Sequence, residues 1–281
     1  MSQGGTYDLA RSIEFDALWQ AVPGRRYVLL CHCEQAPPRR AVRQERARRI
    51  FCNAAVPAFL SRGLARRTEL DLGISLPGAR VFQNPLRVQA GQPLPWPAGQ
   101  ALRLAAVARL ERIKGLDLLL DVLGTAPWRT RDWSLDICGT GPERAALENQ
   151  VQALGLGGRV RFLGFVADIA GFWRSRQLLV LPSIAEGVPL AIQEAMLLGR
   201  PVIASAVGGI PDWIAPGRTG WLLPERTAEA LAATLEFTWE QRTQLEAIGA
   251  AAAAETAARL DPDPAGTVLG WLTASASGPH P

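Results

Sequence analysis

Short apolar runs alternate with amphipathic stretches through the middle of the chain, and that alternation predicts strands and helices in turn. "LRLAAVA" (102–108), "WSLDIC" (133–138), "RVRFLG" (159–164), "LLVLPS" (178–183) and "PVIAS" (201–205) have strand length and composition. Helices are expected near 115–124, 142–154, 167–175 and 189–198. Such alternation builds an α/β fold: a parallel sheet with helices on both faces, whose ligands bind beyond the carboxyl ends of the strands. Upstream the pattern is less regular. "YVLLCH", "RRIFCNA" and "ARVFQNPL" read as buried strands with basic helical material between them. "VQAGQPLPWPAGQ" (88–100) places Pro93, Pro95 and Pro97 at alternate positions, which disfavours helix and sheet interior and predicts an extended linker. Beyond about residue 226 lies Ala- and Glu-rich helix ending in "SASGPHP", which is expected to fray. The expected organisation is a shortened N-terminal α/β domain over 1–92, a Pro-rich linker over 93–100, a larger α/β domain over 101–225, and helices and tail over 226–281.

Composition adds bounds. The chain has 281 residues, 48% of them apolar and 20% charged, which is ordinary for a globular protein with a real core. No run approaches the roughly 18–20 apolar residues of a spanning helix. The start lacks the apolar segment of a signal peptide, so the expected location is cytoplasmic. The net charge of +4 is unevenly placed: nine arginines and one acid, Glu45, lie between Arg39 and Arg67. That region reads either as a solvated helix surface or as a peripheral contact with anionic lipid at the inner face of the membrane. Without aromatic interleaving or a known motif, nucleic acid is not an expected partner. Cys31, Cys33, Cys52 and Cys138 form no Cys-x-x-Cys pair, and "CHC" at 31–33 lacks paired zinc-ligand spacing. Reduced, mostly buried thiols are expected.

Three motifs fall at strand ends. In "ARLERIKGLDLLL", Arg109 and Lys114 can converge on a diphosphate, and Lys114 is the one lysine among thirty Lys and Arg residues. A single lysine suggests a place that needs a compact ammonium. In "DICGTGPERAAL", Gly139 and Gly141 precede a helix, where small residues admit a close ligand and a helix N-terminus favours anions. The motif lacks the third glycine and the later acid of a dinucleotide fingerprint, which argues against a dehydrogenase. In "EGVPLAIQEAMLLGRPVIASAVGGIPDWI", Glu186 falls in a strand-to-helix loop that Pro189 closes. Glu194 lies deeper, with Leu190, Ala191, Leu197 and Leu198 as its helix neighbours, where a carboxylate is costly unless hydrogen-bonded. Gly208 and Gly209 follow the next strand.

On "VARLERIKGLDLLL", "CGTGPE", "VRFLGFV", "LPSIAEGVPLAIQEAMLLGRPVIAS" and "GGIPDWIAPGRTGWLL", the chain resembles the retaining GT-B-type glycosyltransferases of family 4, the glycosyl transferases group 1, over roughly 101–225. The resemblance implies two Rossmann-like domains, with the nucleotide-sugar donor held by the C-terminal one. It implies that Arg109 and Lys114 contact the donor diphosphate, that Glu194 accepts from the ribose, and that Glu186 lies near the donor sugar. It further implies that the loop from Gly187 through Val188 to Leu190 offers amides, that Phe165 and Val166 lie near the base, and that His32 approaches the sugar. Asp212 stands where many relatives have glutamate.

The implied chemistry is sugar transfer with retention from a UDP- or GDP-sugar to a glycan or lipid-linked acceptor in envelope polysaccharide assembly. Neither cofactor nor metal is expected; "DPD" at 261–263 matches Asp-x-Asp by letter only, in the tail. The short N-terminal half supports an alternative, a donor-binding module or partner-dependent subunit without independent activity. A GT-B-fold sugar-nucleotide epimerase and a Rossmann oxidoreductase stand further off.

Overall fold

The computed structural model describes residues 27–32, 41–89, 91, 93–99 and 101–276. They divide into two compact units, Leu86–Leu260 and the residues before and after it.

The first unit carries a three-stranded parallel sheet in the order β1-β2-β3. Its elements are β1 (Val28–Cys31), α1 (Ala41–Asn53), β2 (Val56–Phe59), α2 (Arg62–Leu72) and β3 (Arg80–Val81). "RRIFCNA", expected as a strand, is instead the end of α1. Ala47, Ile50 and Phe51 are buried at a spacing of three and four, which is a helix stripe rather than strand alternation. The strand follows at 56–59, and the "ARVFQNPL" strand shrinks to two residues. Ser61 starts α2 by accepting the Leu64 N–H (3.1 Å), and Gly73 ends it at φ 60°. Arg49 and Arg67 remain exposed on α1 and α2, with their heads on Glu45 and Asp71.

The second unit is built on β4 (Leu102–Val107), α3 (Leu116–Leu123), α4 (Ala126–Arg129), β5 (Trp133–Cys138), α5 (Arg144–Ala153), β6 (Val160–Gly164), α6 (Ile169–Trp173), β7 (Leu178–Leu181), α7 (Leu190–Leu197), β8 (Val202–Ser205), β9 (Gly220–Leu223), α8 (Ala228–Glu240) and α9 (Leu245–Arg259). Its six strands are parallel, in the order β6-β5-β4-β7-β8-β9. Alternate residues of the strands feed two apolar clusters, one on each face. Leu104, Leu135 and Val180 meet Leu119, Leu120 and Trp128 in one. Ala105, Leu179 and Leu181 meet Ile192, Met196 and Trp173 in the other. Helices cover both sides, so the strands are apolar throughout. β9 had no counterpart among the expected strands, because "GWLL" is a four-residue edge strand opened by a glycine.

The Pro-rich stretch is not a free connector. Leu94 donates its N–H to Leu198 O (3.2 Å), and the fully buried Arg200 reaches Leu94 O (3.3 Å) and Pro95 O (2.8 Å) while lying over the Trp96 ring. Burial lowers the Arg200 pKa to about 10. These contacts bind 93–96 to the second unit, so its boundary falls at Pro85/Leu86 rather than near residue 92. The boundary expected near 225 also shifts: α8 and α9 pack on the second unit's sheet, and the chain rejoins the first unit at Asp261. There α10 (Pro264–Ala276) begins, with Asp263 accepting the Gly266 N–H (2.9 Å). "DPD" is thus a helix start. Residues 277–281, including His280, lie outside the described residues.

Candidate functional site

The sheet winds outward in both directions from β4 and β7, which are neighbours. In open parallel sheets ligands bind beyond the carboxyl ends of the strands at such a topological switch point, which here lies between β4 and β7. Backbone bonds fix the loops that follow these two strands. Ala108 and Leu110 donate to Cys138 O (3.0 Å) and Thr140 O (2.9 Å), and Ile184 donates to Ile113 O (2.7 Å). The β4 loop ends in a 3-10 turn, Arg112–Lys114, followed by Gly115 at φ 67°.

Lys114 and Glu186 meet between these two loops. The ammonium lies 2.7 and 2.8 Å from the two Glu186 oxygens, and Ser183 Oγ donates to Oε1 at 2.8 Å. Their side chains are 16% and 8% exposed, so the pair is partly desolvated and its Coulomb attraction is stronger than in water. At least one ammonium N–H remains for another anion. Past Glu186 the loop turns into α7, and the N–H groups of Gly187, Val188 and Leu190 have no partner among the described residues. Gly187 O instead accepts from Gly209 N (2.7 Å), which ties the β7 and β8 loops together.

Glu194, on the buried side of α7, has found a cation that sequence reasoning missed. Arg87 donates Nε to Oε1 (2.9 Å), Nη2 to Oε2 (2.7 Å) and its own backbone N–H to Oε1 (3.1 Å). This charge-assisted fork raises the Arg87 pKa and lets the carboxylate stay buried with no solvent exposure. The buried acid was itself the signal that a donor had to exist. No pattern in the sequence says that the donor comes from 107 residues upstream.

The glycines at these strand ends meet a packing need. A Cβ on Gly139 would lie 1.8 Å from Ala108 O, and one on Gly141 would lie 2.3 Å from Leu110 O. Gly208 would meet Glu186 O at 1.9 Å. At each of these Cα atoms the protein's own backbone fills the side-chain space, so the glycine lets the loops pack on one another.

The remaining expected residues are scattered. Arg109 is exposed and pairs with Glu111 (2.6 Å), not with Glu186. Phe165 is exposed beyond β6, an outer strand two positions from β4, whereas Val166 packs on the core. Asp212, in a 3-10 turn beyond β8, is exposed and accepts from Arg259 Nη1 through its carbonyl (2.6 Å). His32 belongs to the first unit, edge-on to Phe82 with ring centroids 5.0 Å apart, and partial desolvation lowers its pKa. Of the thiols, Cys31 and Cys138 are buried and Cys52 is exposed, while Cys33 lies outside the described residues. Among the described residues no helix is long and apolar enough to cross a membrane.

The family description "Glycosyl transferases group 1" matches residues 101–241, half of the chain. The chain belongs to this family. Among the relatives of this chain, WcaL of Salmonella typhimurium, named for colanic acid biosynthesis, is 31% identical over 159 residues, 53% of this chain and 39% of that one. The amylovoran biosynthesis glycosyltransferase AmsK of Erwinia amylovora is 34% identical over 144 residues, 48% of this chain and 35% of that one. The matched segment is thus less than half the length of either relative. Anabaena HepE, solved with UDP, superposes with TM-score 0.73 at 23% identity, covering 89% of this chain and 72% of that one. Sucrose-phosphate synthase from Thermosynechococcus elongatus gives TM-score 0.72 at 23% identity, covering 93% and 70%. These likenesses show a shared GT-B glycosyltransferase fold.

Proposed function

We propose that this family member moves a sugar, with retention, from a nucleotide-sugar donor to a glycan or lipid-linked acceptor in polysaccharide assembly. The observation that carries the reading is the Lys114–Glu186 pair at the β4/β7 switch point, beside a helix start whose amides have no partner among the described residues. As the sugar–phosphate bond breaks, negative charge grows on the leaving diphosphate. A fixed ammonium and fixed amides there stabilise that charge more than they stabilise the bound ground state. Glu186 holds Lys114 in place and is itself a carboxylate within reach of a donor sugar. Glu194 supplies an acceptor for ribose hydroxyls, and the donor phosphate takes the acceptor's proton, so neither a metal nor a cofactor has a role. HepE was solved with UDP-glucose as well as UDP, and AmsK is named for amylovoran biosynthesis, which supports this donor and acceptor class. The exposed arginines of α1 and α2 suit anionic lipid at a membrane surface, where lipid-linked acceptors reside.

The test is nucleotide release from UDP- and GDP-sugars, with and without acceptor extract. Acceptor-dependent release supports the reading. Binding without release under any acceptor points to a donor-binding subunit.

A further inference from the structure

We propose that Arg87 is a latch on the ribose position of the donor site, occupying Glu194 until a nucleotide's hydroxyls replace it. The proposal rests on the glycosyltransferase reading above.

The argument is one of acceptor capacity and access. An ionised carboxylate offers about four acceptor positions. Arg87 fills three of them, two on Oε1 and one on Oε2. A ribose presents two adjacent hydroxyls, which need two positions. The Glu194 side chain also has no solvent-exposed surface, so not even a water-sized group reaches the remaining position while Arg87 is in place. If Glu194 holds ribose, Arg87 must first withdraw.

Its surroundings allow that. The Arg87 side chain is 40% exposed, so its guanidinium passes into water without crossing the protein. It lies outside helix and strand between β3 and β4, and among the described residues the next backbone–backbone bond downstream is at Leu94. The exchange also conserves hydrogen bonds: two guanidinium N–H donors leave the carboxylate, and two hydroxyl donors arrive. What opposes it is the loss of a buried charge partner, so the closed form dominates without nucleotide. A competent form populated at about 10% lowers apparent nucleotide affinity about tenfold.

Calorimetry with UDP and GDP on the full chain, comparing wild type, Arg87→Met and Arg87→Gln, tests this. Both variants should bind the preferred nucleotide about tenfold tighter than wild type. For the 2′-deoxy nucleotide, the gain should shrink below about threefold, because the advantage passes through the hydroxyls. In wild-type protein the Arg87 Nε–H, followed by nitrogen-15 NMR, should be protected from exchange without nucleotide and lose protection at saturation. This measurement needs no variant to fold. Equal or weaker binding by the variants, or persistent Nε–H protection at saturating nucleotide, overturns the latch while the donor site stands. If wild type binds no nucleotide, or Glu194→Ala leaves its affinity unchanged, the donor-site reading falls and takes the latch with it.

Discussion

Replacing Lys114 separates a structural ion pair from a catalytic cation. Lys114→Met leaves Glu186, 8% exposed, with Ser183 as its remaining side-chain donor. Breaking a buried pair by removing one partner costs about 3–5 kcal/mol, and the partial exposure of Lys114 puts this case near 3. For a domain of this size that is a fall in Tm of roughly 6–12 °C. Glu186→Gln together with Lys114→Met removes both charges, and stability should return to within about 1 kcal/mol of wild type. Nucleoside diphosphate binding should not return. A hydrogen-bonded charge on phosphate is worth about 1.5–3 kcal/mol, so affinity falls about 10- to 100-fold in both variants. Turnover falls by a further factor on the order of 10² if the ammonium meets growing charge on the leaving group. Thermal unfolding gives the first quantity, calorimetry the second, and nucleotide release the third. A double variant that binds diphosphate as tightly as wild type would show that Lys114 serves Glu186 and nothing else.

Two further outcomes follow from local geometry. Gly139→Ala combines φ 140° with a Cβ 1.8 Å from Ala108 O, so it should cost more than about 3 kcal/mol, read as a lower urea midpoint or loss of soluble protein. Burial, the largest cause, raises the Cys138 pKa from 9.0 to about 12, with Asp136 adding to it and Arg176 and Arg87 opposing. The unfolded thiol loses its proton first, so stability present below pH 9 should fall as pH rises toward 12, by on the order of 2–4 kcal/mol. Urea unfolding between pH 8 and 11 should show that slope, and Cys138→Ala should flatten it.

Much of the second unit was legible because its period is plain. Five of its six strands and four of the five helices between them lie within a few residues of where apolar runs and Gly/Pro punctuation put them. The first unit was read less well: α1 ends in Arg-Arg-Ile-Phe-Cys, too short an apolar run to tell strand from helix without its packing partners. The glycines at 139, 141 and 208 each stand where another loop's backbone leaves no room for a Cβ, a need the sequence does not display. Whether the space beside a Cα holds ligand or backbone is a property of neighbouring loops, not of the glycine.

What the sequence determined by itself is the α/β alternation, the position of each polar motif at a strand's carboxyl end, and the demand of two carboxylates for donors. Those follow from chain-local periodicity and from the cost of burying charge. What only the tertiary structure decided is which donors answer. β4 and β7 are 70 residues apart in the chain but adjacent in the sheet, and that adjacency brings Lys114 to Glu186. Arg87 reaches Glu194 because the chain ahead of β4 packs within the second unit, beside α7. Pairings over such separations are set by strand order and packing, which no local pattern encodes.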